Sequence, residues 1–192
     1  SNVLIHGACP LALYVGDLAT AERLVDRLHD HLAAHARVVG RAQGDCLRGM
    51  LLIARGDRAG LPLLRGGIDR LSGVRFRLRY PYFLGALASG LHAAGQAGAA
   101  RTAIEQALDW CERSDERWCM PELLRIQGHF LEEEGTASAV KAAESRYQQS
   151  LDWARLHGAL SWELRTATSL ARLWWRQGMA KEAGQLLSAV YD

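Results

Sequence analysis

Glycine recurs along this chain at intervals of about forty residues. The five positions are separated by 40, 39, 40 and 43 residues: Gly16, Gly56, Gly95, Gly135 and Gly178. A glycine just beyond a helix can adopt the left-handed backbone that ends the helix without a steric penalty. A fixed period of this length is typical of arrays of two-helix units, because one unit cannot bury its apolar face alone. The spacing therefore predicts an all-α chain, an α-solenoid of about five antiparallel helix pairs.

Other positions recur with the glycines. The residue seven places before each glycine is small: Cys9, Gly49, Ala88, Gly128 and Ala171. The residue five places after the glycine is Ala or Leu in four units: Ala21, Leu61, Ala100 and Ala183. Three extra residues between Gly135 and Ala143 bring the fourth unit into the same alignment, and Leu-Asp-Trp then repeats at 108–110 and 151–153. The period is thus a true internal repeat.

The repeat predicts where the helices lie. The first helices of the pairs are expected near residues 4–15, 38–55, 80–94, 120–134 and 160–177. The second helices are expected near residues 18–35, 60–72, 97–114, 138–157 and 179–191. Asp17 and Asp57 are predicted to cap the helices that follow them, and a proline marks the first turn at Pro62, Pro81 and Pro121. Gly66-Gly67 inside a helix leaves two interpretations open, a close approach of two backbones or a frayed helix.

At these positions the chain resembles the tetratricopeptide-like (TPR-like) repeats. The resemblance rests on a small residue, a glycine seven residues later, then an alanine and a bulky apolar residue in the second helix. The two best units carry Gly128, Gly135, Ala143 and Tyr147, and Ala88, Gly95, Ala100 and Ile104. The period is longer than the ~34 residues of the standard repeat. The resemblance implies a right-handed superhelix whose concave wall is formed by the first helices.

The last third of the chain is similar to the repeat region found at the C-terminal end of large bacterial regulators. In those proteins a DNA-binding or cyclase module and a nucleotide-binding ATPase precede the repeats. Ser1 and Asn2 are interpreted as the remnant of a removed tag. Residues 3–192 are expected to form one repeat domain of a longer, cytoplasmic protein. Nothing in the sequence reads as a signal peptide or as an apolar run of membrane-spanning length.

The family's groove positions, carried over by their offsets from each glycine, predict a partner-binding wall. Its residues are Gln43, Tyr82, Ser89, His92, Glu122, Arg125, His129, Glu132, Arg165, Arg172, Trp175 and Arg176, with Met50 and Thr168 beside them. Trp175 stands out, because if Trp174 faces the core its neighbour is turned about 100 degrees away. Arginine and aromatic side chains are frequent anchors of protein interfaces.

The predicted repeat fold and its partner-binding wall are compatible with two classes of function. The first is a non-catalytic protein-interaction or regulatory scaffold that binds a protein, a peptide, another domain of its own chain or a second copy. The second is a small-molecule sensor with a pocket around His92, His129, Arg125 and Arg172. Contacts spread over several units would indicate a peptide, and contacts confined to two units would indicate a small ligand.

Catalytic, metal and cofactor chemistry receives no support from the motifs. Cys9, Cys46, Cys111 and Cys119 lack CxxC spacing and are predicted to be buried, reduced thiols. The series His29-x-His31-x3-His35 places two histidines one turn apart, but a solvated helix face is the favoured interpretation. Glu132-Glu133-Glu134 is interpreted mainly as surface, with partner binding as the alternative. No phosphate-loop, nucleophile-elbow or zinc-protease motif is present in the sequence.

A segment that alternates basic and apolar residues joins the second and third units, Arg75-Phe76-Arg77-Leu78-Arg79-Tyr80. One interpretation is a patch that binds phosphate or nucleic acid. The favoured one is an ordered connector whose apolar side packs on the array. A net charge of +2 gives no argument for nucleic-acid binding by the chain as a whole.

Overall fold

The computed structural model describes residues 2–34, 38–74, 78–114 and 116–191, and it is all-helical over these ranges. The chain divides into two compact units, residues 1–96 and 97–192. The all-α prediction is confirmed. The tag interpretation of Ser1 falls on a residue outside the described ranges.

The described residues of the first unit form five α-helices. They are α1 Cys9–Val15, α2 Leu18–Ala34, α3 Val38–Ala54, α4 Gly60–Ser72 and α5 Tyr80–Ala93, and a π-helical turn, Leu4–Ala8, runs directly into α1. Each helix packs against its neighbours in the chain, and α3 also contacts α1 and α5. The ion pairs Arg48–Asp26, from α3, and Arg55–Glu22, from the residue that follows α3, are both at 2.5 Å and connect this part of the chain to α2.

Five α-helices also account for the helical residues described in the second unit. They are α6 Ala97–Arg113, α7 Met120–Glu133, α8 Ala137–Leu156, α9 Leu160–Arg176 and α10 Ala180–Tyr191. Sequential helices pack against each other here too, and α7 contacts α9. The first helices of successive pairs therefore touch within a unit, as expected for a helical repeat.

The predicted helix ends agree with the structure to within one residue, because the signals that set them are local. All five periodic glycines have positive φ, between 70° and 78° at the first four and 83° at Gly178. The Asp17 carboxylate accepts a hydrogen bond from the Thr20 amide at 3.0 Å and caps α2 as predicted. The cap predicted at Asp57 is different, since its carboxylate accepts from the Ala59 amide in the turn before α4 begins.

The three extra residues predicted in the fourth helix pair of the repeat, between Gly135 and Ala143, lengthen a helix. Helix α8 has 20 residues, whereas α2 and α6 each have 17. All three begin two residues after their glycine, so the insertion lies within the first turns of α8. Counted after the insertion, Ala143 and Tyr147 are buried at the positions of Ala100 and Ile104 in α6.

Helices α3 and α4 approach each other along a line of glycines. A Cβ at Gly49 would lie 2.7 Å from the Leu64 amide nitrogen, and one at Gly67 would lie 2.8 Å from the Ala42 carbonyl oxygen. The second glycine of Gly66-Gly67 is thus required by the close approach of two backbones, and α4 is a continuous helix. The repeat places Leu61 five residues after Gly56. The buried small residue at this point of the structure is its neighbour Gly60, whereas Leu61 is half-buried.

The core of the second unit forms where α8 meets α9. Its buried members are Ala143, Tyr147, Leu151, Ala167, Leu170 and Leu173. The Tyr147 ring lies over Gly128, where a Cβ would come within 2.7 Å of the ring. Trp174 packs against this core and donates a hydrogen bond to Glu144 at 2.8 Å, while Trp175 is 68% exposed. Trp174 thus faces the core and Trp175 is turned away from it, as predicted.

None of the helices in the described ranges has the length and hydropathy that crossing a bilayer requires.

Candidate functional site

The predicted groove residues are divided between the two units. The first unit carries Gln43 on α3 and Tyr82, Ser89 and His92 on α5. The second unit carries the remaining eight, on α7 and α9. The structure brings the second set together around two glutamates and one apolar cavity.

Two of the predicted residues in the first unit serve local structure. Gln43 is 4% exposed, and its side-chain amide donates a hydrogen bond to the Leu78 carbonyl at 3.2 Å. The Ser89 hydroxyl donates to the Gly85 carbonyl of its own helix at 3.2 Å. Gln43 therefore ties the connector before α5 to α3 and is not part of an exposed surface.

Tyr82 and His92 are half-buried on α5. The guanidinium carbon of Arg79 lies 6.0 Å from the centre of the Tyr82 ring, which is the outer limit of a cation–π contact. The same Arg79 donates a hydrogen bond to the His6 carbonyl. Burial, reinforced by the Arg79 charge, lowers the pKa of His6.

Arg79 belongs to the basic connector, of which Leu78, Arg79 and Tyr80 are described. Leu78 and Arg79 form a turn, and Tyr80 begins α5, so these residues are not extended. Arg79 has a φ of 67°, a left-handed conformation that is uncommon for a residue with a side chain. Its contacts agree with an ordered connector. Arg75, Phe76 and Arg77, which the phosphate or nucleic-acid interpretation also needs, lie outside the described residues.

In the second unit, Glu122 on α7 pairs with two of the predicted arginines. Arg125 binds both carboxylate oxygens, at 2.7 and 2.8 Å, and Arg165 of α9 binds one of them at 2.9 Å. The Glu122 side chain is 12% exposed. Arg125 lies 3.5 Å from the Ser169 hydroxyl. These residues therefore form an internal polar bridge between α7 and α9.

Glu132, in the last turn of α7, forms a second polar bridge. Its carboxylate accepts a hydrogen bond from the Tyr147 hydroxyl at 2.8 Å and pairs with Arg176 of α9 at 2.6 Å. Burial raises the pKa of Tyr147, and the hydrogen bond to Glu132 raises it further. The tyrosine hydroxyl is therefore the donor in this contact at neutral pH.

The three consecutive glutamates point to three different partners. Glu132 is 9% exposed and faces inward, so the surface interpretation is wrong for this residue. Glu133 lies 3.2 Å from His129 on the exposed side of α7, and Glu134 pairs with Arg101 at 2.6 Å. The separation of the three side chains agrees with the sequence argument against a paired acid/base site.

Arg172 and Trp175 differ from the other predicted groove residues on α9. They line a cavity of about 280 Å³ between α9 and α10. The other lining residues are Thr168, Ala171, Ala180, Ala183, Gly184 and Leu187. Arg172 is exposed and makes no ion pair with any residue in the described ranges. The site thus combines a small apolar cavity, an exposed indole and an uncompensated positive charge.

A larger cavity, of about 580 Å³, lies within the first unit. Ile53, Leu61, Pro62, Gly90 and Ala93 form much of its apolar lining, and Asp57, Arg58 and Gln96 add polar groups. The small-molecule pocket predicted from the sequence involved His92, His129, Arg125 and Arg172. Of these residues only Arg172 lines either cavity.

The cysteines are buried and free, as predicted. Burial raises the pKa of the Cys9 thiol to about 11, and a hydrogen bond with Cys111 together with burial raises that of Cys119. Over residues 2–34, 38–74, 78–114 and 116–191, no three His, Cys, Asp or Glu side chains are placed to hold a metal ion. His35, the last residue of the histidine series, lies outside those ranges.

No protein-family model matches the chain, and a search of curated proteins finds no match.

Proposed function

We propose that this chain is a non-catalytic protein-binding domain, built as a TPR-like superhelix, and that α9 and α10 carry its recognition surface. The observation that carries the proposal is the site formed by Arg172 and Trp175. An exposed tryptophan beside an arginine at the edge of an apolar cavity has the composition of an interface hot spot.

The charges of the second unit support this choice of surface. Arg125, Arg165 and Arg176 are each neutralised by Glu122 or Glu132. Arg165 and Arg176 therefore hold α9 to α7, while Arg125 pairs with Glu122 within α7. Using any of these three arginines to bind a partner would require breaking an existing ion pair. Arg172 carries no such cost, so it is available to pair with a group on another molecule.

We also propose that the domain belongs to a cytoplasmic bacterial signalling or transcriptional regulator. The support for this setting is the resemblance of the last third of the sequence to such repeat regions. In a regulator, a partner that binds one arrangement of the domains more tightly than another shifts the equilibrium between them.

The test is a display selection of natural protein segments of about thirty residues against the folded chain. Selected segments are then titrated against the unaltered chain and against Arg172→Ala and Trp175→Ala. Each substitution is expected to weaken binding at least about tenfold, the effect of a moderate hot spot. The matched control is Arg27→Ala on α2, because Arg27 is also an exposed helical arginine without a described ion pair. Selected segments that bind both α9 variants normally would refute the proposal, and so would a selection that yields none.

A small-molecule receptor is the second candidate, and the cavity of the first unit favours it. Its volume of about 580 Å³ falls within the ~300–1,000 Å³ of typical ligand sites, whereas the cavity beside Trp175 is smaller. A thermal-shift screen with metabolites tests this candidate. A metabolite that raises the melting temperature of the chain, but not that of Arg58→Ala, would favour a sensor.

A further inference from the structure

We propose that Cys111 and Cys119 form a redox-sensitive pair, and that their oxidation to an intramolecular disulfide locks the connector between α6 and α7. The oxidant is a small-molecule disulfide of the glutathione type. This proposal goes beyond the protein-binding function and does not depend on it, because both cysteines belong to the packing of α6 against α7. In a reducing compartment a bond of this kind is transient, as it is in redox sensors.

The two thiols lie against each other in the interior of the second unit. Cys111 is in the last turn of α6, and Cys119 directly precedes α7. Both residues are 0% exposed, and their thiol groups share a hydrogen bond. Two sulfurs in such contact need only a small local movement to reach the ~2.05 Å of a disulfide bond.

Arg117 holds the connector in the conformation that returns Cys119 to Cys111. Its guanidinium donates hydrogen bonds to the carbonyls of Cys111 and Glu112, at 3.1 and 3.2 Å. These carbonyls lie at the C-terminal end of α6, where partners within the helix run out. The Arg117 carbonyl in turn accepts a hydrogen bond from the Met120 amide at 3.0 Å, where α7 begins. A disulfide would thus make covalent a junction that hydrogen bonds already form.

The other two cysteines provide an internal comparison. Cys9 and Cys46 are also 0% exposed, so burial alone does not distinguish them from the pair. In the described part of the chain neither of them shares a hydrogen bond with another cysteine, and the Cys46 sulfur lies 4.0 Å from the Leu64 carbonyl oxygen. An intramolecular disulfide is therefore expected only between the two cysteines that are in contact.

The oxidation exchanges one disulfide bond for another. The thiolate of the first cysteine attacks a sulfur of oxidised glutathione, forms a mixed disulfide and releases one glutathione thiolate. The thiolate of the second cysteine attacks the protein sulfur of that mixed disulfide, forms the bond between the two cysteines and releases the second glutathione thiolate. The protons of the two cysteines end on the two released thiolates. The protein loses two electrons, which reduce one oxidised glutathione to two molecules of glutathione.

Burial makes the connector the gate of this reaction. The hydrogen bond with Cys111 and burial raise the pKa of Cys119 well above its ordinary value. At neutral pH the thiol is therefore protonated, and a protonated thiol is a poor nucleophile. Oxidation thus requires a local opening of the connector that exposes and ionises a thiol. Once the bond has formed, it opposes the same opening, and this is the sense in which it is a lock.

The pairing can be measured by equilibrating the folded chain with mixtures of reduced and oxidised glutathione. After the remaining thiols are alkylated, trypsin cleaves at Arg113 and Arg117, which both lie between the two cysteines. The disulfide then joins the tryptic peptides 102–113 and 118–125, and mass spectrometry quantifies the linked pair. The peptides that contain Cys9 and Cys46 are expected to carry the alkyl label.

The same equilibration in concentrated urea supplies the reference for the unfolded chain. We expect the equilibrium constant for forming the bond between the two cysteines to be at least about tenfold larger in the folded chain, because the fold brings the sulfurs together. An equal or smaller constant in the folded chain would overturn the proposal. A folded chain that yields only mixed disulfides with glutathione would also overturn it.

The lock is tested separately by melting the reduced and the oxidised chain. By thermodynamic linkage, a tenfold preference of the bond for the folded state stabilises that state by about 1.4 kcal/mol, or roughly 3–6 °C in melting temperature for a chain of this length. Cys111→Ser should abolish both the linked peptides and this rise, whereas Cys9→Ser, the matched control at another buried cysteine, should keep both. An oxidised chain that melts no higher than the reduced one would contradict the lock. The comparison of folded and unfolded chains needs no substitution, so it decides the proposal even if a variant fails to fold.

Discussion

The Gly66-Gly67 pair provides the sharpest test of the packing of α3 against α4, because these two adjacent glycines of α4 have different surroundings. A Cβ at Gly66 meets only the end of the flexible Arg70 side chain, at 3.6 Å. A Cβ at Gly67 would lie 2.6 Å from the Cys46 sulfur, 2.8 Å from the Ala42 carbonyl oxygen and 3.1 Å from the Cys46 amide nitrogen. Alanine is therefore tolerated at the first glycine and obstructed at the second.

The expected changes in the free energy of unfolding follow from these distances and from helix propensity. Gly66→Ala gains helix propensity of about 1 kcal/mol. Gly67→Ala gains the same amount but forces a methyl group roughly 1 Å inside the ~3.5–4.0 Å of relaxed contact, against backbone atoms of α3 that cannot rotate away. Overpacking of this kind costs up to about 3 kcal/mol, which leaves a net loss of about 2 kcal/mol. The two variants should thus differ by about 3 kcal/mol.

Thermal unfolding followed by circular dichroism at 222 nm measures the difference. At about 2–4 °C per kcal/mol for a chain of this length, Gly66→Ala should melt about 3 °C higher and Gly67→Ala about 6 °C lower than the unaltered chain. In a Cys46→Ala background, Gly67→Ala should cost less but still destabilise, because the Ala42 carbonyl remains in place. Shifts of the same sign for the two single variants would refute the close approach of α3 and α4.

Three further outcomes are expected. Tyr147→Phe removes the hydrogen bond to the nearly buried Glu132 and should lower the unfolding free energy by about 1–3 kcal/mol in a urea titration; an unchanged titration midpoint would contradict the contact. Glu122→Ala leaves two guanidinium groups without their shared carboxylate and should cost about 2 kcal/mol, between the values for exposed and buried pairs; a loss no larger than that of an exposed pair would show the bridge to be weak. Burial raises the pKa of Cys46 above its ordinary value of 9.0, so its thiolate favours the unfolded chain. Stability should therefore be full below pH ~9 and decrease above it, with Cys46→Ala removing up to about 1.4 kcal/mol per pH unit of that slope; equal slopes in the two proteins would refute this role.

The helices of this protein could be located from the sequence because their limits depend on local chemistry. The backbone of Gly95 is left-handed and ends α5 wherever the rest of the chain lies, and Asp17 caps α2 through an amide three residues away. The three-residue insertion before Ala143 was visible for the same reason, since it shifts every later position of the repeat. The close contact of Gly60 with Gly49 and Ile53 of α3 could not be predicted in this way, because it depends on how α4 packs against α3.

The candidate site was predicted less completely. Offsets from the glycines placed Arg172 and Trp175 on the proposed recognition surface, and they also placed Gln43 there, which is buried. Periodicity gives the face of a helix but not what lies against that face. The sequence does not show that Gln43 is buried, because its hydrogen-bond partner, the Leu78 carbonyl, is 35 residues away in the chain.

The all-α class, the order and limits of the helices and the repeat that relates them could all be predicted from the sequence. These properties arise from hydrogen bonds and turns that span a few residues, so they can be read from short stretches of chain. Which of the predicted groove arginines pair with glutamate, and that Arg172 pairs with none of the described residues, depends on the tertiary structure. Glu122 and Arg165 are 43 residues apart, and their pairing depends on how α9 seats on α7. The cavity beside Trp175 has the same origin, because residues of both α9 and α10 line it.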